Sequence, residues 1–147
     1  MLAEPVNGRC IFSLFDLEIN MSCVTDIPVD WLRICKFGLE NDGLASLPLK
    51  DYANTYSLLL LQKNNAVLIE DADGERTLKS YEISLSDFTE QLIRDIKNYF
   101  DGWVSWYPAK IMGIPDDKRG VLLNALLADT EDAFRTYKDS CGKKRQF

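Results

Sequence analysis

The chain has no histidine in its 147 residues. Histidine is the usual general acid or base near neutral pH and the commonest metal-binding side chain. Its absence removes the Ser-His-Asp and Cys-His nucleophile pairs and every His-bearing zinc site. Glycine-rich phosphate loops are also missing. Neither Gly-x-Gly-x-x-Gly nor Gly-x-x-x-x-Gly-Lys-Ser/Thr occurs, and there is no Gly-x-Ser-x-Gly elbow. Cys10, Cys23, Cys35 and Cys141 are widely spaced, with no Cys-x-x-Cys pair. They read as reduced, mostly buried thiols and not as a zinc site. No apolar run approaches the roughly 20 residues that span a bilayer. The segment Met1 to Gly8 lacks the basic and apolar parts of a secretory signal, so the expected compartment is the cytosol.

Positive charge is in short supply. Lys and Arg number 17 against 23 Asp and Glu, a net charge of −6. Phosphate binding runs on Lys and Arg, so this balance argues against nucleic acid as the main partner. The one basic cluster, Lys143-Lys144-Arg145, reads as a solvated tail that suits a helix C-terminus.

What is present fits one globular domain, residues 1–147, with flexible ends at 1–8 and 143–147. Hydrophobic residues make up 46% and charged ones 27%, so a core can form without a metal or disulfide. From Phe15 to Cys23 apolar and polar residues alternate, with Phe15, Leu17, Ile19, Met21 and Cys23 on one face. This predicts a half-buried strand. Its N-terminal end, Cys10 to Leu14, is apolar on both sides, which predicts cover on both faces. Asp26-Ile27-Pro28 opens a short helix through Trp31, Ile34 and Cys35, with Gly38 as its stop. From Leu39 to Thr55 the pattern weakens into loop, with room for one short element. Strands are expected at Tyr56 to Gln62, Ala66 to Glu70 and Arg76 to Ile83, with turns at Asn64-Asn65 and Asp73-Gly74.

The C-terminal half changes period. Phe88, Leu92, Ile96, Tyr99 and Trp103 form a helical stripe with Ser86 as the expected N-cap. After a connector from Pro108 to Pro115, Asp116 and Asp117 cap a second helix. Its stripe runs through Leu123, Leu127, Thr130, Phe134, Tyr137 and Cys141 to a stop at Gly142. The predicted fold class is α+β: an antiparallel sheet of an N-terminal strand plus a meander, with C-terminal helices on one face.

Three constellations are candidates for function. The densest charge cluster is Glu70, Asp71, Asp73 and Glu75 around the Asp73-Gly74 turn. It lacks the ligand schedule and flanking helices of a calcium loop. Two readings stand, a solvated hairpin tip or an acidic contact for a basic partner. Asp116 and Asp117 can add to that field or simply cap their helix. Asp129, Glu131 and Asp132 read as a solvated helix face. Trp103, Trp106 and Tyr107 form the aromatic concentration. Buried, these rings are core; exposed, they are binding anchors. Trp103 falls on the core stripe, which leaves Trp106 and Tyr107 as candidate anchors. No residue pattern calls for a metal, a cofactor or catalysis.

The pattern resembles the immunity proteins of bacterial polymorphic-toxin and contact-dependent growth inhibition systems. The resemblance rests on the small acidic chain, the opening strand Ile11-Phe12-Ser13-Leu14-Phe15, the meander around Asp73-Gly74 and the helices around Trp103 to Pro108. It implies a protein that binds and neutralises a cognate toxin domain, often a basic nuclease, as a monomer in a one-to-one complex. An acidic inhibitor can imitate the polyanion such a toxin grips. The alternatives are a structural or adaptor module and a small-molecule sensor.

Overall fold

The computed structural model describes residues 1–22, 25–61, 65–106, 113 and 115–144. Among these residues ten elements follow one another: β1 (Cys10–Leu14), β2 (Leu17–Met21), α1 (Ile27–Glu40), β3 (Ala45–Lys50), β4 (Thr55–Leu60), β5 (Ala66–Ala72), β6 (Glu75–Tyr81), α2 (Leu85–Asn98), α3 (Phe100–Val104) and α4 (Asp116–Lys144). The fold is α+β, with a β1-β2 hairpin and a four-stranded antiparallel meander in the order β3-β4-β5-β6. Three of the meander's strands, β4 to β6, are legible in the sequence. The N-terminal strand proved to be two.

That hairpin turns at Phe15-Asp16, between the paired residues Leu14 and Leu17. Phe15 takes a φ of 52°, a conformation that glycine or asparagine usually supplies. With neither at the turn, the strict alternation imitated one continuous strand. The core face of the hairpin carries Cys10, Phe12, Leu14, Ile19 and Met21, all buried. Ile11 is exposed and Phe15 is 69% exposed, so neither the two-sided cover nor the inward Phe15 holds. The first residues are also pinned. Ala3 N–H donates to the Ile11 carbonyl at 3.0 Å, and Ser13 N–H donates to the Met1 carbonyl at 2.8 Å. Leu2 is buried beside Asp95, which accepts its N–H at 3.0 Å. The expected flexible start is thus tied to β1 through residue 3.

In the meander, Ala45, Leu47, Leu49, Tyr56, Leu58, Leu60, Ala66 and Leu68 point to one face and are buried. The helices cover that face, with α1 packed on β3, α2 and α4. The β1-β2 hairpin crosses the same face from edge to edge. Ser22 N–H donates to the Lys50 carbonyl at the end of β3. At the far edge Phe15 stacks on Tyr81 with centroids 5.9 Å apart, and Asp16 pairs with Lys79. Phe12, Trp31 and Phe88 meet at 5.5 to 6.3 Å. They join β1, α1 and α2 in one cluster, each ring pair adding about 1 kcal/mol beyond its burial.

Several boundaries differ from expectation for local reasons. β3 emerges from the expected loop; Pro48 disguised it, and proline is tolerated there because β3 is an edge strand. Gly38 does not stop α1, which runs to Glu40. It is placed where a Cβ would lie 2.8 Å from Leu85 Cδ2, so its smallness lets α1 approach α2. The N-cap of α2 is Ser84 instead of Ser86; its Oγ accepts the Asp87 N–H at 3.1 Å. The helical stripe expected through Trp103 breaks at Tyr99, and α3 restarts at Phe100. α4 continues through Gly142 to Lys144.

Buried charge locks the two ends of the helical layer. Arg119, 1% exposed, donates to both carboxylate oxygens of Asp26 at 2.5 and 2.7 Å, and through Nε to the Trp103 carbonyl at 3.1 Å. Asp26 therefore serves α4 instead of capping α1, where its side chain makes no cap hydrogen bond.

Candidate functional site

The β5-β6 hairpin is built by its two-residue loop. Asp73 and Gly74 have φ of 50° and 77°, the paired left-handed geometry that matches the twist of the strands. Pairing from Ala72↔Glu75 to Ala66↔Tyr81 follows. The register splits the acidic cluster. Glu70 and Glu75 lie on the face continuous with the core, Asp71 lies on the opposite face and Asp73 sits in the turn. All of β6 from Glu75 to Ser80 is exposed. Lys79 pairs with Asp16 at the turn of the β1-β2 hairpin, and the tip from Glu75 to Leu78 makes no hydrogen bond or ion pair with that hairpin or the helices among the described residues.

Within the arm, Arg76 Nε donates to Asp71 Oδ1 at 2.8 Å. Asn54 Nδ2 donates to Glu70 Oε1 at 3.4 Å. The carboxylates of Asp73 and Glu75 have no hydrogen bond or ion pair among the described residues. One guanidinium thus answers four carboxylates. Next to the arm, Asp51 accepts the N–H groups of Ala53 and Asn54 at 2.8 and 2.7 Å. Those bonds, the Asn54 N–H first, hold its carboxyl below the usual range.

The other expected site residues are placed elsewhere. Asp116 and Asp117 occupy the first turn of α4, exposed. Ser105 Oγ donates to Asp116 Oδ2 at 3.2 Å, which ties that turn to the end of α3. No hydrogen bond or ion pair joins them to the hairpin among the described residues. Trp106 is not an exposed anchor. It is 1% exposed, packs against Trp103 at 5.1 Å and donates its indole N–H to the Thr25 carbonyl at 3.2 Å. The reason is tertiary, since the knot around Arg119 draws the end of α3 into the core. Tyr107 lies outside the described residues.

Two surfaces escaped the sequence reading. A cleft of about 520 Å³ between the end of α1 and α4 gathers Glu40, Asp42, Asp129 and Asp132 around Lys36 and Tyr137. Burial, then the neighbouring Cys141 and Asp42, pushes the Tyr137 phenol up to about 12. Only the crossing of the helices brings residues 40 and 129 together, so no sequence signal announced the cleft. The second surface is the bare face of the meander, where Leu59, Val67, Ile69 and Leu78 adjoin across β4, β5 and β6. Here a signal existed: Leu58-Leu59-Leu60 and Val67-Leu68-Ile69 are apolar on both faces, unlike a strand with one wet side.

Burial pushes the thiols of Cys10 and Cys35 up to about 12, which holds them protonated at neutral pH. Among the described residues no group of three or more Cys, Asp and Glu is placed to hold a metal ion, and no helix is long and apolar enough to cross a membrane. No family model, curated protein or solved structure matches the chain.

Proposed function

We propose that the chain is an inhibitor of the immunity type, which captures a basic toxin domain, foremost a nuclease, on the acidic end of the β5-β6 hairpin. The observation that carries this reading is the set of four carboxylates, Glu70, Asp71, Asp73 and Glu75, on a protruding arm with Arg76 as their cation. Such a field raises the rate of encounter with a cationic surface and fixes its orientation. Asp116 and Asp117 add to the long-range field rather than to the contact. The mechanism is binding without chemistry, in the cytosol, one copy per toxin domain.

The test is a capture from native host lysate with tagged wild type and with the triple variant Asp71→Lys, Asp73→Lys, Glu75→Lys. The expected result is a basic polypeptide held in equal amount by the wild type, released in salt steps and missed by the variant. Retention by both proteins alike would move the contact off the hairpin. An empty capture, with toxin expression confirmed, would overturn the inhibitor reading.

A further inference from the structure

The two-residue loop settles which backbone groups of β6 are used. Ala72 and Glu75 flank it as a hydrogen-bonded pair. By alternation, the N–H and C=O groups of Glu75, Thr77, Lys79 and Tyr81 point to β5. Those of Arg76, Leu78 and Ser80 point away, at the outer edge of the sheet. They have no partner among the described residues. The side chains there are exposed, Leu78 by 68%. An open edge of this kind is a template for another strand.

The other edge of the meander is closed to this use. β3 carries Pro48, which has no N–H to offer, and the end of β2 is bonded to its last residue. The invitation to pair is therefore confined to β6, and its sequence says with what. A strand laid antiparallel to β6 must put hydrogen-bonded pairs at even-numbered residues. If that strand is β6 of a second copy, a two-fold axis at Thr77 meets the condition. Arg76 then bonds to Leu78 of the second copy, Thr77 faces Thr77, and Glu75 faces Lys79 twice over. The Glu75 and Lys79 pairs fall at positions without mutual hydrogen bonds, where side chains come closest. Moving the axis to Leu78 keeps the hydrogen bonds but puts Tyr81 opposite Glu75 and Thr77 opposite Lys79, so the charge match is lost.

We infer that two copies of the chain associate through their β6 strands, antiparallel about a two-fold axis at Thr77, into one continuous eight-stranded sheet. Lysine at an edge commonly guards against pairing. Lys79, whose exposed partner within the chain is Asp16, guards against arbitrary strands, while the added match to Glu75 admits its own copy. On the bare face, Leu78 of the two copies become diagonal neighbours. The apolar strip of Leu59, Val67, Ile69 and Leu78 then continues across the joint.

The test is sedimentation velocity on the full chain alone over a concentration series, so that its result does not depend on any toxin. Wild type is expected to pass from monomer to dimer. Leu78→Pro removes an outward N–H while leaving every bond to β5, and is expected to stay monomeric with an unchanged circular dichroism spectrum. Glu75→Lys and Lys79→Glu each place like charges opposite one another twice, and should weaken the dimer about tenfold. The combined Glu75→Lys, Lys79→Glu chain restores the opposite charges across the joint and should recover most of the loss, short of wild type by what Asp16 loses with its lysine partner. Under oxidation Thr77→Cys should give a covalent dimer that wild type and Leu78→Cys do not. A monomer at every soluble concentration would overturn the inference. So would a dimer that Leu78→Pro, Glu75→Lys and Lys79→Glu all leave untouched.

Discussion

Two aspartate–arginine pairs in this molecule share their chemistry and little else. Asp26 and Arg119 lie in a knot with Trp103 and Trp106, where the arginine side chain is 1% exposed. Asp71 and Arg76 lie on the β5-β6 arm, with side chains 51% and 68% exposed. In the knot the guanidinium has lost its water and spends three donors on Asp26 and the Trp103 carbonyl. Removing Asp26 strands a buried guanidinium, and removing Arg119 leaves the Asp26 carboxylate, 25% exposed, without its cation. On the arm, water replaces whatever is removed, so the pair contributes little to folding and its atoms stay open to a partner. Burial, more than residue type, separates charge that holds the fold from charge available for recognition.

The sharpest way to break the knot is through its aromatic wall. Trp106→Ala empties a fully buried indole site and leaves the Thr25 carbonyl without its donor. The expected loss is about 4 kcal/mol, read from equilibrium urea unfolding. A loss below about 1 kcal/mol would place the indole at the surface, as an anchor requires, and reverse the assignment made from its burial.

Arg119→Met keeps much of the volume and removes the charge. It should cost about 3 kcal/mol, from the partly buried Asp26 carboxylate and the buried Trp103 carbonyl, both left without their donor. Adding Asp26→Asn should return part of that loss, because it removes the unpaired charge. A double variant no more stable than Arg119→Met alone would show that packing, not charge, sets the cost.

The knot was illegible in the sequence because residues 26, 103, 106 and 119 share no spacing; only the crossing of α1, α3 and α4 assembles them. Trp106 therefore read equally well as core or anchor. The arm was legible because everything that makes it is local. Asp73-Gly74 dictates the turn, and strand alternation dictates which carboxylate lies on which face. Where local signals are missing, the chain hides its elements. Phe15-Asp16 has no glycine to announce its turn, and Pro48 hides a strand that the edge position permits.

Asp51 stands between the two regimes, a surface carboxylate held by two backbone N–H groups. Its folded pKa is lowered, so the stabilisation it brings is present above the unfolded value near 4 and lost as pH falls through the folded one. Asp51→Asn should therefore lower Tm modestly at pH 6, with the deficit closing as the pH falls below the usual carboxylate range. A deficit independent of pH would assign the effect to turn geometry alone.

The smallest expected effect on folding is at the arm. Arg76→Ala removes the one cation among four carboxylates, yet both partners of its ion pair are mostly in water. Tm should stay within about 2 °C of wild type, and 0.5 M salt should erase even that difference, since the Debye length there is only about 4 Å. Binding is expected to move the other way. Without Arg76 the tip is more negative, so a basic partner should associate faster at low salt and lose the advantage as salt rises. A large fall in Tm would mean that the arm helps hold the fold. An unchanged association rate, measured once the basic partner is in hand, would take the steering field away from this hairpin.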